Sequence, residues 1–136
     1  MRHLNAIRFQ AFPLICALAA GIFLASRLAL ADHQHVSRPF VGVKANTGTV
    51  THSREGSRQI LTLSDDFKIP DAPAPHWQVV DSHGNTYLLQ RLEVKGGKFN
   101  KQIVLPPYIH DVAKVQIWCA WAEVLLGEAT FDSPVR

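Results

Sequence analysis

From Phe40 to Phe131 the chain consists of short apolar-rich runs separated by Gly, Pro, Asn and Asp, with little helical spacing among them. Runs of this length and period, punctuated by turn formers, are the pattern of an all-β chain. Gly48 to His52 and Ser57 to Leu63 lie either side of Arg54-Glu55-Gly56 and are expected to pair as a hairpin. Trp77 to Val80 and Tyr87 to Val94 flank the turn residues Ser82-His83-Gly84-Asn85. Gly96-Gly97 interrupts the second run, and Lys101 to Val104 returns. Leu105-Pro106-Pro107-Tyr108 cannot continue a central strand, because proline has no ladder donor. Lys114 to Trp121 and Glu123 to Phe131 complete the set. About seven to eight strands in one short chain predict a single-domain β-sandwich or partly closed barrel.

The alternation is sharpest in Lys114 to Trp121. Val115, Ile117, Cys119 and Trp121 fall on one side of a strand, with Lys114, Gln116, Trp118 and Ala120 on the other. The first side is apolar, so it is expected to face the core. Cys119 and Trp121 should then point inward, and Trp118 should cover the opposite face.

Residues 1–31 depart from this texture. Arg2 and Arg8 precede an apolar run from about Ala11 to Ala25, and Ala29-Leu30-Ala31 fits a small-x-small cleavage site. This reads as a signal peptide, and it implies export to a periplasmic or extracellular compartment. Arg27 cuts the run short of the ~20 apolar residues of a spanning helix, so no stable membrane span is expected after cleavage. Residues 32–39 read as a flexible polar tail, and 40–136 as the β domain.

Charge changes the picture only by its location. The 136 residues carry 14 Lys+Arg and 11 Asp+Glu. Arg2, Arg8 and Arg27 belong to the leader, which has no acidic residue, so the remaining 11 basic residues balance the 11 acidic ones. A basic nucleic-acid footprint is therefore excluded for the domain.

Of the two cysteines, Cys16 lies in the leader and Cys119 in the domain. A lone thiol in an oxidising compartment calls for an explanation. Cys119 is a buried core residue, a partner in an intermolecular disulfide, or a group used for chemistry. Without a second cysteine nearby, thioredoxin-type exchange within the chain is excluded, which leaves sulfenate, a mixed disulfide or a metal bond. Burial among Ile117, Val115 and Trp121 would favour the neutral thiol, whereas a nearby cation would favour the thiolate. Lys114, His110 and His76 are candidates for that cation. A haem thiolate would in addition need an apolar slot wide enough for a flat macrocycle.

The other polar residues carry less. His33 and His35 read as tail histidines, and His52, His76, His83 and His110 as solvated residues of turns and strand ends without zinc spacing. Asp65 and Asp66, even with Asp71, lack the oxygen-rich loop of a calcium site. Trp77 and Tyr87 are read as core residues before surface stacking platforms. No paired-carboxylate, phosphate-loop or nucleophile-elbow motif is present, so no catalytic activity of its own is expected.

Several of these residues stand in a familiar order. Gly48, then Leu61, Leu63, Asp66 and Phe67, then Leu105-Pro106, Ile117-Trp118-Cys119 and Gly127-Glu128-Ala129 resemble the DM-thirteen domain over about Phe40 to Phe131. Members of that family occur alone in exported bacterial proteins and beside DOMON domains in animal extracellular proteins. Ala74-Pro75-His76 replaces the family's Gly-Pro-Asp, Lys44 a common histidine, and Ala122 a common aromatic residue. The resemblance implies a β-sandwich-like fold and a role in redox or electron transfer. In that role the cysteine would be a bare thiol or a ligand to a haem-like group, with Ile117, Trp118 and Trp121 supporting it. The expectation is thus an exported redox accessory domain working with a redox partner protein. The alternative is a non-catalytic binding module for a cell-surface ligand, in which Cys119 only packs.

Overall fold

The computed structural model describes residues 33–96 and 98–136. The segment read as a signal peptide, with Cys16, lies outside the described residues. Ten strands run in chain order: β1 (His35–Val36), β2 (Val50–Glu55), β3 (Arg58–Leu63), β4 (Pro75–Val80), β5 (Thr86–Arg91), β6 (Val94–Lys95), β7 (Lys98–Phe99), β8 (Gln102–Val104), β9 (Val112–Cys119) and β10 (Val124–Val135). Three of them are two residues long, and the seven longer ones include a match for each run read from the pattern. No helix is present among the described residues, and so none long and apolar enough to cross a membrane.

Two four-stranded antiparallel sheets form a β-sandwich. Sheet A has the order β1-β2-β3-β8 and sheet B the order β10-β9-β4-β5, while β6 and β7 form a separate small hairpin. The core lies between the sheets. Val50, Leu61, Leu63 and Ile103 come from sheet A and Trp77, Val79, Val115, Ile117 and Ala129 from sheet B, all fully or nearly fully buried. Their spacing of two is what lets each strand keep one side dry.

Local chemistry sets the turns. Glu55 pairs with Arg58, which leaves Gly56-Ser57 as a two-residue loop, and Gly56 has φ 62°. Glycine at the first central position is the requirement of a type II′ hairpin, whose twist matches the strands. The Asp81 carboxylate accepts from the amides of His83 (2.9 Å) and Asn85 (2.8 Å), closing the turn between β4 and β5.

Three expectations are corrected. Residues 35–39 do not hang free: Ser37 N–H donates to Val50 O (2.8 Å), Val50 N–H to Ser37 Oγ (2.9 Å), and Arg38 N–H to Thr130 O (2.8 Å). Backbone pairing with distant strands orders a segment too polar to order itself, so the domain begins before Phe40. His52 is not a solvated histidine; it points inward from β2, opposite Leu61, and is fully buried. Trp121 does not face the core. β9 ends at Cys119, the chain turns through Ala120–Glu123, and the Trp121 side is 77% exposed. Period-two alternation stops where the strand stops.

Candidate functional site

Cys119 is the last residue of β9, opposite Pro75 on β4 and Val124 on β10. It shares the inner face with Ile117 and is 1% exposed, as the alternation predicts. Immediately after it the chain reverses, and Glu123 takes the left-handed conformation (φ 54°) that closes the turn. The reversal brings backbone N–H groups to the sulfur.

Those amides hold the Cys119 thiol below its usual pKa. The Ala122 amide contributes most; burial opposes it, and the amides of Ala74 and Trp121 and the charge of Lys44 add to the lowering. Hydrogen bonds and positive charge favour the thiolate, while desolvation favours the neutral thiol. Here the first effect outweighs the second.

Ala122 and Trp121 belong to the turn that follows Cys119, whereas Ala74 and Lys44 are positioned by contacts remote in sequence. The loop before β4 is tied by its carbonyls: Lys44 Nζ donates to Asp71 O (2.7 Å) and Arg91 Nη2 to Pro73 O (2.6 Å). Ala74 O accepts from Ala120 N–H (2.9 Å) and from His76 Nδ1 (2.8 Å). These bonds fix the Ala74 loop beside the end of β9. Lys44 rides on a strap, residues 41–45, that lies along the edge of β10. Val41 and Glu128 exchange backbone bonds of 2.9 Å, and the amides of Lys44 and Ala45 both donate to Leu126 O. Two glycines permit this approach. A Cβ at Gly42 would sit 2.2 Å from Gly127 Cα, and one at Gly127 would sit 2.0 Å from Ala45 O.

The residues expected around the thiol are thus rearranged. Ile117 is buried beside it on the same face. Trp118 belongs to the outer face, opposite His76. Trp121 offers its amide and not its ring. Of the expected cations, Lys114 pairs with Glu128 (3.1 Å) on the outer face and His110 lies exposed in the loop before β9. His76 acts only through the carbonyl it holds. The cation that reaches the site is Lys44, with Ala74 and Ala122 as amide donors. None of these three carries a sequence signal of its own, because two contribute only backbone.

The remaining candidates scatter. Trp77 is wholly buried in the core, and its Nε1–H has no hydrogen-bond partner among the described residues. Tyr87 is half-buried and donates to Asp81 (3.1 Å). Asp65 pairs with Lys101 (2.7 Å), away from Asp71. Among the described residues no three His, Cys, Asp or Glu side chains converge to hold a metal ion.

A haem does not fit at Cys119. A cleft of about 700 Å³ opens beside Ile69, Pro75, Arg91 and Leu92, but Cys119 does not line it. Cys119 is 1% exposed on the inner face, which leaves no opening for a macrocycle at its sulfur. No family model matches the chain, and no curated protein or solved structure is significantly similar to it.

Proposed function

We propose that the protein is an exported redox accessory domain of the DM-thirteen type in which Cys119 is a thiolate oxidised by a small peroxide. The observation that carries this reading is the place of a buried cysteine at the end of β9, where the 120–123 turn and the Ala74 loop meet and where backbone amides and the charge of Lys44 lower its pKa. A core cysteine held only by hydrocarbon would have its pKa raised, not lowered. The tight cap suits an oxidant of a few atoms better than a protein disulfide.

The chemistry balances with a peroxide and a dithiol. The thiolate attacks one peroxide oxygen, the O–O bond breaks, an S–O bond forms, and the departing oxygen takes a proton from water. Sulfur gives up two electrons and becomes a sulfenic acid. A small dithiol then displaces water to form a mixed disulfide, and its second thiolate closes its own disulfide and releases Cys119. The domain carries an oxidation state and needs no turnover of its own.

The test is the pH dependence of alkylation of the folded chain, with sulfenate trapping after peroxide. The expected midpoint lies below the ~8.5 of a free thiol, and the trapped adduct disappears in Cys119→Ser. One observation favours a second reading: the sulfur is 1% exposed and continuous with the core. If Cys119 reacts only after unfolding, the redox reading fails and a binding module with a packed cysteine remains.

A further inference from the structure

Sheet B ends in two very different edges. On β10 the strap of residues 41–45 occupies the outer edge. On β5, among the described residues, no bond outside the β4 ladder reaches the backbone of Thr86 to Gln90. The outer strands of sheet A, β1 and β8, have two and three residues, too short to template much pairing. β5 has six residues, and Thr86-Tyr87-Leu88-Leu89-Gln90 contains neither a charge nor a proline, two devices that normally protect an edge. Its one irregularity is a bulge between Leu88 and Arg91, which turns the Gln90 carbonyl toward β4 and confines the free edge to Thr86 and Leu88.

We propose that a second copy of this chain adds to sheet B through β5, antiparallel and centred on Leu88, to make one continuous eight-stranded sheet. The ladder supplies the phase. Asp81 N–H donates to Asn85 O (3.0 Å), and the next pairs are Val80 with Thr86, Val79 with Tyr87 and Gln78 with Leu88. Bonded and non-bonded pairs alternate in an antiparallel ladder, so Asn85 and Tyr87 face β4 and the backbone groups of Thr86 and Leu88 face outward. A twofold axis at Leu88 therefore joins two free N–H groups to two free C=O groups across the axis. It sets Leu88 against Leu88 of the second copy and Thr86 against Gln90.

The side chains agree with that register. Leu88 is 52% exposed on the outer face, in line with the Gln78, Gln116 and Glu128 row, and it would be covered by its own counterpart. Tyr87 and Leu89, on the inner face, meet each other across the axis as an aromatic–aliphatic pair. The charges also complement. Arg91, exposed at the end of β5, is carried toward the turn of the second copy that holds the Asp81 carboxylate. No like charges are brought together. Such self-complementarity is the condition for an isologous twofold interface.

Sedimentation of the 1–136 chain, with reductant present to exclude disulfides, tests this from about 1 μM to about 1 mM. The expected result is a reversible monomer–dimer equilibrium that Leu88→Lys weakens at least ~10-fold. Leu88→Pro should do the same with an unchanged circular-dichroism spectrum, because that N–H is not used within the monomer. Hydrogen exchange on the unmodified chain needs no variant: the amide of Leu88 should gain protection as concentration rises. A monomer throughout that range overturns the proposal. So does association that persists in Leu88→Lys or leaves that amide unprotected, since the contact would then run through another surface.

Discussion

The two edges of sheet B show how one sheet can be closed on one side and open on the other. At β10 a backbone strap is fitted so tightly that neither Gly42 nor Gly127 leaves room for a methyl group. That strap carries Lys44, whose charge helps to lower the Cys119 pKa, and Lys44 ties it to the loop before β4. At β5 a six-residue strand, neutral from Thr86 to Gln90, meets solvent. Tight backbone packing goes with the candidate chemistry, and free backbone goes with the proposed association.

The sharpest way to break this contrast is Gly127→Val. Its side chain would collide with Ala45 backbone, and overpacking of that kind costs about 1–3 kcal/mol. Thermal unfolding should show the loss, and alkylation should show the Cys119 midpoint rising as Lys44 is displaced. Next in size is Glu128→Gln. Glu128 accepts from Gln116 (3.0 Å) and Lys114 (3.1 Å), and Gln116 in turn accepts from Gln78 (2.7 Å), which links three strands across the outer face. The Gln116 bond, with Lys114 behind it, holds the Glu128 carboxyl below its usual pKa against the opposing effect of burial. A depressed folded-state value makes its contribution complete above the unfolded value of about 4.3 and lost as pH falls through the folded value. Denaturant titrations from neutral to acid pH should show that slope, and Glu128→Gln should flatten it at a cost of about 1 kcal/mol near neutrality.

Smaller effects separate chemistry from stability. Lys44→Gln keeps a donor for Asp71 O but removes the charge, so the Cys119 midpoint should rise while stability changes by less than about 0.5 kcal/mol. A thiol midpoint unmoved by that change would mean that the amides act alone. The same linkage makes the Cys119 contribution to stability present above the unfolded thiol value and lost as pH falls through its folded value. On the open side, Leu88→Lys should leave the unfolding of the dilute monomer within about 0.5 kcal/mol of the parent. A large loss there would show that Leu88 serves the monomer's own fold.

The strands were legible because each declares itself locally. Val115, Ile117 and Cys119 face the core as their spacing predicts, and the turn at Ser82 to Asn85 forms where its residues place it. Trp121 marks where that legibility ends. It continues the alternating pattern of β9, but two residues beyond Cys119 it stands in solvent. Nothing in the period distinguishes the last strand residue from the first turn residue. His52 fails in the opposite direction, since a polar residue at an inward position of β2 is indistinguishable from one at a strand end until β3 is set beside it.

By itself the sequence determined the all-β class, the hairpins and the inward direction of Cys119, because these follow from period, turn chemistry and proline, which act over a few residues. Only the tertiary structure decided what surrounds the sulfur and which edge of sheet B stays open. Both depend on backbone groups brought together from residues 41–45, 74 and 121–122. A backbone N–H is the same at almost every position, so its placement leaves no trace in the residue types and exists only once the chain has folded.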